Sequence, residues 1–140
     1  MVTRRLWALI ALATAFGLGH HVDHLIRGNH VGWPVTAEVT PFTYSLAVYP
    51  LIALGALLTW RRRVGAGYWA LLAAGGVLFV GPVHFGPLAV EPPRDILGPY
   101  RSPAAGWLAL GWLVLFLVVL SATAAYAATL WRRAARERAG

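Results

Sequence analysis

Four long apolar blocks run along the chain, each closed by arginines, histidines or prolines. A helix that crosses a bilayer needs about 20 apolar residues. The first span is therefore expected over residues 6–26, with His20, Asp23 and His24 in its last turns. Gly28, Asn29, Gly32 and Pro34 break it, so residues 28–41 read as a loop with Trp33 at the interface. A second span is expected over 42–60, kinked in its middle by Pro50 and stopped by Arg61, Arg62 and Arg63. The third, 64–83, contains Gly65, Gly67, Gly75, Gly76 and Gly81, which let neighbouring helices approach closely. Pro87, Pro92, Pro93, Pro99 and Pro103 rule out a regular helix between Phe85 and Pro103. The fourth span, 104–131, is long enough to tilt, and its small residues from Ser121 to Thr129 form a packing surface around Tyr126. The tail through Arg132, Arg133, Arg136, Glu137 and Arg138 is expected to fray into water. The pattern predicts an all-α polytopic membrane protein. It is a single domain over 1–140, with four transmembrane helices in an antiparallel bundle.

The start has a second reading. Arg4 and Arg5, a short apolar core and Ala13-Thr14-Ala15 resemble a secretory signal peptide whose cleavage would expose Phe16. The apolar stretch continues past that point into the histidines without a polar break, which favours a span.

Composition strengthens the membrane reading. Hydrophobic residues make up 59% of the 140 and charged residues 12%, where a soluble domain carries about a quarter. The net charge of +7 comes from arginine alone. Those arginines cluster at the ends of apolar runs, which is a topology signal rather than a nucleic-acid footprint. All-Arg usage with abundant Ala and Gly suits a GC-rich bacterial genome. Arg4, Arg5, Arg61–Arg63 and the tail arginines fall on one side of a four-span chain; Arg27, Arg94 and Arg101 fall on the other. Both termini are therefore expected in the cytoplasm, with the histidines and the proline-rich loop on the extracytoplasmic face of the plasma membrane. Trp7, Trp60, Trp69 and Trp131 would form the inner aromatic belt, and Trp33, Tyr100 and Trp107 the outer one. Glu38, Glu91 and Asp95 read as solvated loop charges.

The absence of cysteine excludes disulfides and thiolate sites, so any metal must be held by imidazole, carboxylate, carbonyl or water. At 100° per residue, His20, Asp23, His24 and Arg27 share one helical stripe, and His21 points about a quarter turn away. Histidines at i and i+4 can bind one metal from a single helix face, as in the HExxH zinc motif. His84, at the end of the third span, is the natural third ligand, and His30 a fourth. Asp23 is either a ligand or the group that orients a histidine and handles protons; alternatively it simply pairs with Arg27. Three histidines and a carboxylate suit Zn, Fe, Cu or Mn. The His20-x-x-x-His24 spacing is similar to a histidine box of membrane desaturases and hydroxylases over five residues. Those enzymes need several such boxes, with more histidines than this chain has, on the cytoplasmic side, so no relationship follows.

Three functions compete. The first is a metal-dependent enzyme opening to the outer leaflet, with the proline-rich loop covering a lipid or isoprenoid substrate. The second is a redox carrier in which a first-span histidine and His84 ligate haem b. The third is a non-catalytic accessory subunit whose Gly/Ala-rich helices pack in a homo- or hetero-oligomer. The lipid bilayer is a partner in all three.

Overall fold

In the computed structural model, residues 2–27, 39–87 and 89–140 are described; among them there are six α-helices and no strand. Four membrane-length apolar segments are present: Arg4–Arg27, Pro41–Trp60, Ala66–His84 and Pro103–Arg136. The first is helix α1, Arg4–Arg27. It is capped by Thr3, whose hydroxyl accepts the Leu6 N–H at 3.2 Å.

The second segment departs from expectation. It is two helices, α2 (Pro41–Ser45) and α3 (Val48–Trp60), separated at Leu46 and Ala47. Pro50 is the cause, but it acts one turn upstream of itself. Its ring would collide with the carbonyl of Leu46, and it has no N–H to donate there. The chain therefore breaks before Pro50, which falls in the first turn of α3, where proline is tolerated. Tightened turns bridge the gap, from Ala47 N–H to the Tyr44 carbonyl and from Tyr49 N–H to the Leu46 carbonyl, both 3.1 Å. Helix α2 opens with a reciprocal cap: Thr40 Oγ1 accepts from Thr43 N–H and Thr43 Oγ1 from Thr40 N–H.

Helix α4 spans Ala66–His84. The proline-rich connection is not wholly irregular, because Pro93 starts a short helix, α5 (Pro93–Leu97). Proline suits a first helical position, where no N–H is needed. Pro103 likewise starts α6, Pro103–Arg136. The expected fraying after Trp131 does not occur at once. Alanines favour the helix, and Arg132, Arg133 and Arg136 complement its C-terminal dipole, so it runs on to Arg136.

Helices α1, α4 and α6 pack most tightly. Leu6 and Ile10 meet Ala66, Trp69, Ala70 and Ala127 in one core cluster. Ala13, Ala73, Leu113, Phe116 and Leu120 form a second, closed by Ile96 of α5. Trp69 is 2% exposed and donates its indole N–H to Thr59 Oγ1 at 3.0 Å, so it is a core residue and not a belt residue. Thr123 and Ala127 are buried, as expected for the small-residue stretch. Helix α3 stands further out. It buries only Gly55, whose missing side chain admits Tyr68, and Tyr68 in turn donates to the Leu51 carbonyl at 2.6 Å.

Helix α3 ends in a Schellman motif: Arg63 N–H to the Leu58 carbonyl at 2.8 Å and Arg62 N–H to the Thr59 carbonyl at 3.0 Å. The residue in the left-handed region is Arg62, with φ 57°. Glycine adopts that conformation freely, whereas an L side chain there costs about 1 kcal/mol. Arg62→Gly is thus expected to raise stability by about 1 kcal/mol. Arg61→Gly, at φ −75°, gives no such gain. Thermal unfolding in detergent compares the two.

Candidate metal centre

The last two turns of α1 carry the polar stripe inward. His20 (5% exposed), Asp23, His24 and Arg27 are all buried. His84, 2% exposed, reaches them from the end of α4. His20 Nε2 lies 3.2 Å from His24 Nε2 and 3.2 Å from His84 Nε2. The three residues offer ligand atoms within 4.8 Å of one another. Two nitrogens bound to one tetrahedral zinc at about 2.0–2.1 Å lie about 3.3 Å apart, so the triad is spaced for an ion. His30 and Glu38 lie outside the described residues.

Proton accounting points the same way. A guanidinium only donates; His24 Nδ1, 3.4 Å from Arg27 NH2, is therefore an acceptor, and its ring proton sits on Nε2 toward His20. His84 Nδ1 donates to the Glu91 carbonyl at 3.0 Å, which leaves a lone pair on its Nε2. His20 Nε2 then has an N–H on one side and a lone pair on the other. With a proton on His20 Nε2 the His24 contact sets N–H against N–H; without one the His84 contact sets lone pair against lone pair. A shared cation removes the conflict. For His24 to join, its proton moves to Nδ1 and the long contact with Arg27 is given up. A haem does not fit this arrangement. Its two axial nitrogens lie on opposite faces of a porphyrin, and no macrocycle passes between Nε2 atoms 3.2 Å apart.

Asp23 does not touch a histidine ring through any of its hydrogen bonds. Its Oδ2 accepts from Arg27 Nε at 2.8 Å and its Oδ1 from the Tyr100 hydroxyl. The i, i+4 ion pair with Arg27 is the interaction it makes. The carboxylate that faces the triad is Glu91, which is 1% exposed and not the solvated charge expected. Its N–H bonds the Val83 carbonyl at 3.0 Å, folding the chain back over the end of α4. Its Oε1 accepts from Arg27 NH1. Its Oε2 has no hydrogen-bond partner and lies 3.3 Å from His84 Nδ1 and 3.6 Å from His24 Nε2. Burial raises the Glu91 pKa, and the bond from Arg27 opposes that shift. Burial also pushes Tyr100 up to about 12, reinforced by its bond to Asp23. Glu91, and not Asp23, thus stands directly behind the His84 ring.

One signal in the sequence pointed to Glu91. Arg27 carries a full charge at the end of an apolar helix, and Asp23 alone covers one edge of it. A second anion had to come from Glu38, Glu91 or Asp95. Asp95 supplies only its carbonyl, 3.4 Å from Arg27 NH1, and its carboxylate turns to the exposed Arg94.

His21 leaves the triad as the helical angle implies. It bonds Ser45 Oγ at 2.8 Å and the Tyr49 hydroxyl at 2.7 Å, tying α1 to α2 and α3. Phe42 of α2 lies edge-on to the rings of His21 and His24, each 5.4 Å away, and covers the triad. Beneath it is a cavity of about 400 Å³, bounded by His20, His24 and His84 at one end and apolar residues of α3 and α4 along its length. Its rim residues Tyr44 and Leu71 are each 65% exposed. Tyr44 therefore shares the cavity with the histidines; Tyr49 reaches His21 from outside it.

Glu91→Ala removes one of two carboxylates from a buried guanidinium and is expected to destabilise by about 3 kcal/mol. Arg94→Ala breaks an ion pair whose arginine side chain is 85% exposed, and leaves stability within about 0.5 kcal/mol. Chemical denaturation in detergent measures both.

The chain matches no protein-family model, and no curated protein or solved structure is significantly similar to it.

Proposed function

We propose that this protein is a membrane-embedded, metal-dependent enzyme. His20, His24 and His84 bind a divalent transition metal, and a lipid or isoprenoid substrate enters through the cavity beside them. The observation that carries the reading is the convergence of three imidazole nitrogens at the end of an apolar cavity. Three protein ligands leave a position free, as catalytic zinc sites do. Imidazoles without thiolates suit Zn, Fe or Cu; Mn, which prefers oxygen ligands, fits less well. A metal held by His20, His24 and His84 would supply Lewis acidity at the histidine end of the cavity. Glu91 holds the His84 ring by its backbone carbonyl, Arg27 holds the Glu91 carboxylate, and Asp23 acts as a positioning residue through Arg27. Phe42 keeps water from the triad.

The same reading places a four-span antiparallel bundle in the plasma membrane, with both termini cytoplasmic and the triad extracytoplasmic. Arginine distribution supports the sidedness. Contacts support the helix directions: the Thr3 and Tyr126 hydroxyls are 3.2 Å apart, Gly67 lies against Trp131, and His20 meets His84 at the far ends of α1 and α4. A non-catalytic accessory subunit assembling through Gly/Ala-rich helices is the competing reading. It would leave the triad dispensable.

Elemental analysis of detergent-purified protein is expected to find one Zn, Fe or Cu per chain. His20→Ala, His24→Ala and His84→Ala each lose it, and His21→Ala keeps it. A metal-free wild type refutes the enzyme proposal. The chain lacks cysteine, so single cysteines report sidedness cleanly. Ser102→Cys is expected to react with an impermeant maleimide on intact cells, and Ala139→Cys only after permeabilisation. The opposite labelling refutes the orientation.

A further inference from the structure

We infer that the cavity is a binding channel for one hydrocarbon chain, laid along α4 with its polar end at the triad, and that Gly75 sets its bore. The inference rests on the metal-site reading for what happens at the polar end, and on the shape of the cavity for the rest. The lining on α4 extends from Leu71 to His84, a rise of about 20 Å at 1.5 Å per residue. Along that length it is apolar, with Leu72, Phe79 and Val80 on α4 facing Val48 and Leu51 of α3. The three histidines with His21 and Ser45 collect toward one end, and Tyr44 stands at the exposed rim. A narrow apolar channel inside a membrane helix bundle, open at an exposed rim and polar at its end, matches a single-chain lipid carrying one oxygen function. A long-chain or isoprenoid alcohol or acid is of that class. The outer side chains of α3 and α4 already stand beside lipid, so such a chain moves sideways from the bilayer without crossing water.

Gly75 and Gly76 both line the cavity, but only Gly76 is needed for packing. A Cβ built at Gly76 comes within 3.3 Å of Leu120, so this glycine lets α4 approach α6. A Cβ at Gly75 meets nothing within 4 Å, yet Gly75 lines the cavity. Helix packing therefore does not require glycine at 75, and a glycine inside a helix is disfavoured against alanine. What its missing side chain preserves is open channel. A leucine there fills the bore and leaves the fold intact.

The test uses full-length protein in detergent, with Co²⁺ in the metal site and nitroxide-labelled hexadecanol as the probe. Wild type is expected to immobilise the probe saturably and to change its cobalt visible spectrum on binding. Gly75→Leu is expected to weaken probe binding at least tenfold with cobalt content unchanged. Gly111→Leu, on α6 with equally open space around its Cβ and no place in the cavity lining, is expected to behave as wild type. Equal binding by wild type and Gly75→Leu overturns the inference, as does a cobalt-loaded wild type that does not bind the probe. In either case the metal centre still stands. Saturable, Gly75-dependent probe binding by a protein that takes up no cobalt overturns the metal reading and keeps the channel.

Discussion

A guanidinium at the end of an apolar helix must be surrounded by acceptors, because water is scarce there and an unpaired charge at membrane depth costs several kcal/mol. Arg27 meets that requirement with Asp23 on its own helix and Glu91 across the chain. The consequence is architectural. To reach Arg27, Glu91 must be carried back over the end of α4, and once there its carbonyl and carboxylate stand behind the ring of His84. The charge that α1 cannot leave exposed to lipid is thus what fixes the third histidine in register with the other two. Tyr100 bonds the far oxygen of Asp23, so the connection after Pro99 is drawn into the same network.

The four spans were legible because apolar block length is decided locally, and so was the stripe of His20, Asp23, His24 and Arg27, which depends only on helical period. His84 was found by a weaker argument, similar depth on a neighbouring span. Glu91 was misread because its burial depends on a partner 64 residues away and on a backbone reversal that no pattern encodes. The surrounding prolines suggest a solvated loop, and they are equally suited to starting α5. Pro50 was recognised as a helix breaker and placed wrongly, since its clash falls on the carbonyl four residues earlier. Trp69 illustrates the limit of the belt rule. Its position near a span end is what interfacial anchoring predicts, but Trp7 beside it, at 5.6 Å between rings, takes the outward place while Trp69 packs inward.

The break before Pro50 also explains why there is a cavity at all. A continuous helix from Pro41 to Trp60 would present one face to α1 and α4 along its whole length. Interrupting it at Leu46 and Ala47 lets α2 and α3 take separate directions. Helix α2 turns Phe42 onto the histidines, and α3 is held near its other end by Tyr68 and the Thr59–Trp69 bond. Between those two attachments the His21–Tyr49 bond and the packing of Ile52 and Ala56 on the core keep α3 in place, and the space it does not fill is the cavity. Rigid and yielding parts are thus divided by sequence. The small-residue faces of α1, α4 and α6 hold the three histidines in place, and Pro50 keeps the second span from closing over them. Fixed imidazoles beside an unfilled apolar space need both properties, and here each is traceable to particular residues.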